Sequence, residues 1–282
     1  VETIHSIAAV RDVVAKWKRA EQRVGVVPTM GHLHEGHLEL VHCARGRCDR
    51  VLATVFVNPL QFGEDEDFDQ YPRNLENDSA MLQGAGADAL FAPTLGDMYP
   101  RPPQEMTQVQ VPGLSAILCG ASRPVHFGGV TTVVSKLFNI VQPDLALFGQ
   151  KDFQQLTIIR RMVLDLAFPV EVVGVPTVRE PDGLAMSSRN SYLSEDERVR
   201  APFLYATLRS AMDTLCDGRV EPAGVESEAM QRLTEAGFRP DYVAVRRRSD
   251  LHEPRVEDRE LVILAAAWLG KARLIDNLSF DR

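Results

Sequence analysis

Val24-Gly-Val-Val27, followed by Pro28-Thr-Met30-Gly31-His-Leu-His34-Glu-Gly36-His37, decides how this chain folds. A short β-branched run that passes through a glycine-containing turn into a helical pattern reads as the opening of a strand-turn-helix unit. Gly36 lets a ligand approach the backbone at the mouth of the helix, where free amides favour phosphate. His34 and His37 stand three apart, so on a helical turn they share a face and can aim two imidazoles at one phosphoryl group. That spacing suits phosphoryl or nucleotidyl chemistry. Alone, a His-x-x-His also fits a capping loop with surface histidines, and on these residues both readings stand.

Working outward, short β-rich runs alternate with amphipathic segments. Strands are expected at residues 24–27, 51–57, 89–92 and 145–148, and helices at 7–22, 37–47, 75–84, 130–141 and 154–166. Such alternation predicts a parallel sheet, and right-handed crossovers make it a Rossmann-like, doubly wound α/β sheet. Gly31, Asn58 and Gly149 each follow a strand, so one rim of the sheet is the expected ligand site. Proline and glycine punctuation over residues 174–183 places a hinge near 175. The expected division is a first domain over 1–175 and a smaller C-terminal α+β domain over 176–282, with helices at 194–216 and 223–237 and strands at 242–245 and 261–267.

At 282 residues the chain exceeds the usual single domain, and with 45% hydrophobic and 25% charged residues it can bury a full core. The net charge of -8 argues against a general nucleic-acid binder, so any anion site is local. Cys43, Cys48, Cys119 and Cys216 form no C-x-x-C pair and read as reduced and structural. No apolar run reaches membrane-span length and no signal segment opens the sequence, so no membrane partner and a cytoplasmic location are expected. The acidic run at 64–67 reads as a solvated loop rather than a metal site.

Three further polar clusters fall at expected strand ends or past the hinge. They are Phe56-Val-Asn58-Pro-Leu-Gln61-Phe62 with Tyr71-Pro-Arg73 behind it, Phe148-Gly149-Gln150-Lys151-Asp152-Phe-Gln-Gln155, and Ala185-Met186-Ser187-Ser188-Arg189-Asn190. With the opening motif, Gly113-Leu-Ser and Gly120-Ala-Ser-Arg-Pro124, they make nearly the whole chain resemble the pantothenate synthetases. These are the pantoate:β-alanine ligases, among the nucleotidyltransferases with an H-x-G-H type signature, here Glu35-Gly36-His37 completed by His34.

The resemblance implies two steps with ATP as co-substrate: pantoate carboxylate attacks the α-phosphorus, pyrophosphate leaves a pantoyl adenylate, and β-alanine then displaces AMP. The carboxylate is already ionised, so positioning and charge stabilisation carry the chemistry. By similarity Met30, Gly31, His34, Gly36 and His37 line the ATP site of the first domain, joined by Gly149, Gln150, Lys151 and Asp152. Val178, Met186, Ser187, Ser188 and Arg189 complete it from the second, a lid whose closure shields the adenylate. His37, His34, Lys151 and Arg189 take the catalytic roles, and whether His37 gives a proton or only a hydrogen bond stays open. Gln61 and Gln155 hold pantoate, with Gln61 also implicated with β-alanine, and Asn58 and Tyr71 are weaker neighbours. Mg2+ comes with the ATP phosphates and no protein ligand is assigned to it. A homodimer is the family expectation.

Read singly, Lys151-Asp152 also fits a surface ion pair, the glutamines solvated loop residues, and Ser187-Ser188 a helix cap. The run Pro124-Val125-His126-Phe127-Gly128 departs from the family pattern, which has glycine before His-Phe and often a charge at the position of Gly128, so Arg123 and His126 stay outside the first rank. Two rivals remain: another H-x-G-H nucleotidyltransferase, against which Gln61 and Gln155 discriminate, and an idle nucleotide-binding protein, which loss of His37, Lys151 or Arg189 would favour.

Overall fold

The computed structural model describes residues 1–64, 66–102, 105–217 and 221–282. Asp65 of the acidic run lies outside the described residues. The chain divides into two compact units. One comprises residues 1–150 and 158–176, and the other residues 151–157 and 177–282.

The first unit is built on β1 (Glu2–Ile4), β2 (Val24–Thr29), β3 (Arg50–Val55), β4 (Ala89–Phe91), β5 (Leu145–Gly149) and β6 (Glu171–Val175). All pairings are parallel and the order is β1-β4-β3-β2-β5-β6. The sheet is therefore doubly wound, as the alternation predicts. Its strand order reverses beside β2 and β5, the switch point at which such sheets open a crevice. The helices are α1 (Ile7–Arg19), α2 (Glu35–Arg45), α3 (Leu75–Gly84), the single turns α4 (Leu95–Met98) and α5 (Cys119–Ser122), α6 (His126–Val141) and, from residue 158 on, α7 (Phe153–Asp165), whose first five residues group with the second unit.

Period-2 alternation splits the strands between two faces. Val27, Val51, Ala53, Leu90, Leu145 and Leu147 pack with Leu40, Val41, Ala44 and Leu82 of α2 and α3 in one core. Val26 and Leu52 are fully buried with their side chains on the opposite face, and α1 packs on α6. Parallel register brings Thr29 beside Val55 and Gly149 beside Val175, so the loops after β2, β3 and β5 leave from one edge.

The second unit holds α8 (Glu195–Arg200), α9 (Phe203–Cys216), α10 (Pro222–Glu235) and an antiparallel meander of β7 (Arg239–Arg247), β8 (Glu260–Leu269) and β9 (Ala272–Asp281). Leu204, Leu208, Ala211 and Leu215 of α9 and Val225, Ala229 and Leu233 of α10 form a core with Val243, Val245, Ile263, Ala265 and Leu274.

Several elements differ from expectation. β1 and β6 add two strands to the first sheet and β9 adds one to the second. The helix expected over 194–216 is two helices, because Pro202, which has no N–H and stands at the mouth of α9, interrupts it. The expected start of α6 at 130 moves back to His126.

Candidate active site

β2 ends at Thr29, and the chain turns through Gly31 (φ +85°) and His32 (φ +51°). Two backbone amides made available by that turn, His32 N and Leu33 N, donate to the two carboxylate oxygens of Asp78, each at 2.9 Å. Asp78 lies in the first turn of α3, where the helix dipole favours an anion, and is 1% exposed. Gly31 is required twice over. Its φ suits only glycine, and a Cβ there would stand 2.8 Å from Asp78 Oδ2.

The turn delivers His34 as the N-cap of α2. Gly36 N donates to His34 Nδ1 at 3.1 Å, and His34 N donates to His37 Nδ1 at 3.3 Å, a reciprocal capping box built from two imidazoles. Their ring centroids are 4.1 Å apart. A backbone N–H can only donate, so both Nδ1 atoms are acceptors and each neutral ring carries its proton on Nε2. The capping reading and the paired-imidazole reading are thus both realised, by the same atoms.

After β3, a 3-10 turn at Pro59–Gln61 carries Gln61 into a buried amide cluster. Tyr99 Oη donates to Asn58 Oδ1 at 2.7 Å, and Asn58 Nδ2 donates to Gln61 Oε1 at 3.2 Å and to Gly129 O at 3.0 Å. Gln61 Nε2 lies 2.9 Å from Met30 Sδ, which ties this cluster to the β2 turn. α6 approaches closely enough because Gly129 has no side chain, since a Cβ there would stand 2.3 Å from Leu60 O. His126 Nδ1 lies 2.9 Å from the Gln61 carbonyl, and Arg123, paired with Glu66, reaches the same oxygen at 3.4 Å. Both therefore hold the backbone of the loop. Tyr71 is 5% exposed and sets its ring edge-on to Phe62. Burial pushes the Tyr99 phenol well above its ordinary range and draws the Lys136 ammonium, 5.5 Å from the Tyr99 ring centroid, below its own.

Gly149 closes β5, and a Cβ built on it meets no described atom within 4 Å. Packing does not demand glycine here, whereas close approach of a ligand would. Gln150 follows, its Nε2 donating to Gly174 O at 3.4 Å.

In the second unit, Lys151 O accepts from Asn277 Nδ2 at 2.9 Å, and Lys151 Nζ stands 3.9 Å from Asp152 Oδ2. Gln155 lies in the first turn of α7, half-buried. Val178 O accepts from Met186 N at 3.0 Å, and Arg179 bridges Ala185, so the residues 178 and 186–189 form one hairpin and its exit. Ser187 caps the following 3-10 turn, its Oγ accepting from Arg189 N at 3.3 Å. The hairpin is clamped by Arg179, whose two terminal nitrogens meet Asp276 at 2.7 and 2.9 Å while its guanidinium lies 3.8 Å over the Tyr205 ring.

The structure thus gathers Met30, Gly31, His34, Gly36, His37, Gln61, Gly149 and Gln150 at one edge of the first sheet. In the second unit it joins Lys151 with Asp152 and Val178 with Met186 to Arg189, and it brings Lys151 and Ser187 into the lining of one small cavity beside Asp276. Asp78, Tyr99, Gly129, Arg179, Asp276 and Asn277 escaped the sequence reading. Each acts from at least one distant segment, and none stands in a local motif.

Fold and site together define a doubly wound α/β protein with a histidine-capped helix mouth at its switch point. The sequence matches the pantoate-β-alanine ligase family over residues 2–279. It is 55% identical over 280 residues to the pantothenate synthetase of Shewanella loihica, covering 99% of each chain. It is 56% identical to that of Thioalkalivibrio sulfidiphilus, covering all of this chain and 98% of the other. Among solved structures it matches pantothenate synthetase from Thermus thermophilus with a TM-score of 0.91 and 48% identity, over 99% of both chains. It also matches pantoate-β-alanine ligase from Francisella tularensis, complexed with β-γ ATP and β-alanine, with a TM-score of 0.83 and 31% identity over 99% and 97% of the two chains. The chain belongs to the pantoate-β-alanine ligase family. Its activity is the ATP-dependent joining of pantoate to β-alanine, which makes pantothenate. Among the described residues no helix is long and apolar enough to cross a membrane.

Proposed function

We propose that the reaction runs through a pantoyl adenylate and that the edge of the first sheet is where it forms. The observation that carries this reading is the imidazole pair: His34 and His37 each accept a backbone N–H at Nδ1, which fixes both rings at the mouth of α2 with their donor atom at Nε2. In the first step the pantoate carboxylate attacks the α-phosphorus and the bond to pyrophosphate breaks. In the second, the amine of β-alanine attacks the activated carbonyl, loses its proton, and AMP departs. Charge grows on the phosphoryl oxygens in the first step, so neutral N–H donors and Lys151 and Arg189 stabilise the transition state more than bound ATP. His37 thereby acts through a hydrogen bond, because a second ring proton would have to displace the capping bond at Nδ1.

ATP is assigned to Met30, Gly31, His34, Gly36, His37, Gly149, Gln150, Lys151, Asp152, Val178, Met186, Ser187, Ser188 and Arg189, and pantoate to Gln61 and Gln155. In this reading residues 1–175 bind ATP and pantoate, and 176–282 serve as the lid. The Francisella tularensis relative with β-γ ATP and β-alanine supports ATP and β-alanine as ligands here. Among the described residues no three His, Cys, Asp or Glu side chains group as metal ligands, so Mg2+ is proposed to enter on the ATP phosphates, whose charge it offsets. A homodimer in the cytoplasm completes the proposal.

The test is pantoate-dependent exchange of labelled pyrophosphate into ATP. Wild-type protein should exchange, and His37→Ala should lose exchange by about two orders of magnitude while ATP binding changes by less than about tenfold. Exchange without pantoate, or equal losses in both readouts, would remove the adenylation role.

A further inference from the structure

Gln61 enters the proposed function as an amide with two unlike ends, and the buried groups around it decide which end faces which way. A carbonyl oxygen can only accept, so the Asn58 atom 3.0 Å from Gly129 O is the nitrogen Nδ2. Asn58 Oδ1 is then the atom 2.7 Å from Tyr99 Oη, and the phenol must be the donor. The same Nδ2 stands 3.2 Å from the Gln61 amide, whose nearer atom is therefore the oxygen. Turning either amide over would set two acceptors or two donors face to face at sites where Asn58 is 1% exposed and Gln61 7%, with no solvent to relieve them. The Gln61 NH2 is directed away from Asn58, beside Met30 Sδ at the β2 turn.

We propose that the chain Tyr99–Asn58–Gln61, anchored on the Gly129 carbonyl, fixes the polarity of the site. Gln61 presents N–H and never C=O, and Tyr99 and Asn58 are positioning residues for the acid substrate. An N–H end pairs with a carboxylate or hydroxyl oxygen and cannot pair with an ammonium, so this position accepts the oxygens of pantoate and turns away the amine end of β-alanine. The inference rests on the assignment of pantoate to Gln61. Burial that keeps the phenol protonated keeps its hydroxyl a donor at any working pH.

The experiment is a double-mutant cycle on the full-length protein, with KM and kcat measured for pantoate, ATP and β-alanine and a thermal midpoint for each variant. Gln61→Glu puts a charged acceptor where the NH2 was and should raise KM for pantoate by roughly tenfold or more. Tyr99→Phe keeps the ring and should raise KM for pantoate several-fold, with KM for ATP within about twofold of wild type. On the Gln61→Glu background Tyr99→Phe should add nothing, because no N–H remains to be oriented. Asn58→Asp, which offers oxygen to both Gly129 and Gln61, should behave as Tyr99→Phe does, with a larger shift. Equal effects of Tyr99→Phe on both backgrounds, or equal rises in all three KM values, would make Tyr99 merely structural and overturn the inference while leaving Gln61 a pantoate residue. An unchanged pantoate KM in Gln61→Glu would instead overturn the assignment of pantoate to Gln61, and the inference with it.

Discussion

Asp78 shows how much of a site rests on side chains that the motif does not contain. Its carboxylate is buried against the two amides of the β2 turn, and among the described residues no cation pairs with it. Asp78→Ala would leave two donors unsatisfied, so we expect a loss of about 2–3 kcal/mol in denaturant unfolding and a raised KM for ATP, with Asp78→Asn recovering part of both. Tyr99 allows a test by pH. Its pKa is raised in the folded protein, so the folded state keeps a proton that the unfolded state gives up above pH about 10. The associated stability is fully present below that pH and lost as pH rises beyond it, and Tyr99→Phe should flatten the alkaline fall in unfolding free energy. His34, Gly36, His37 and Gln61 stand out in the sequence as candidates because their residue types sit in two short, chemically marked runs, at 28–37 and 56–62. Asp78 and Tyr99 do not, because one of two acids in the first turn of a helix and a tyrosine closing a single helical turn have no pattern of their own.

At the scale of elements, the contact of α6 with the turn at Pro59–Gln61 is set by a missing side chain. Gly129→Ala would drive a Cβ to 2.3 Å from Leu60 O and 2.5 Å from Gln61 N, both backbone atoms that cannot step aside. We expect a lowered thermal midpoint together with a higher KM for pantoate, whereas Gly149→Ala, with open space about it, should leave the midpoint unchanged and affect only ATP kinetics. The four central strands were readable because buried parallel strands are continuous apolar runs. β1 spans three residues, too few for a period, and β6 is an edge strand whose glycine and following proline read as a hinge. β9 was missed although its signal is present: Leu269 pairs with Ala272 across the two-residue turn Gly270-Lys271, and Gly270 has φ +56°, the glycine-first habit of a tight hairpin.

For the molecule as a whole, the unit boundary is where sequence and structure part furthest. Composition marks the change near residue 175, yet residues 151–157 also group with the second unit. No texture in Lys151-Asp-Phe-Gln-Gln-Leu-Thr157 announces this, since its ties are long-range: Asn277 of β9 donates to the Lys151 carbonyl, and Lys151 lines a small cavity with Ala185, Ser187 and Asp276. Asn277→Leu should remove that bond with little change in volume. We expect KM for ATP to rise about tenfold with KM for pantoate nearly unchanged, as steady-state kinetics will read, and Asn277→Ser to restore part of the loss through its hydroxyl.

The same seven residues also bear on modularity. The polypeptide passes between units after Gln150, after Thr157 and after Pro176, so the second unit is not a detachable tail. A fragment made from residues 177–282 would carry Asn277 without its Lys151 carbonyl, and one ending at 176 would carry Lys151 without Asn277. Simple C-terminal domain swapping between relatives, or expression of either half alone, would therefore cut through a shared element. Only exchange that moves residues 151–157 together with 177–282 would transplant an intact unit.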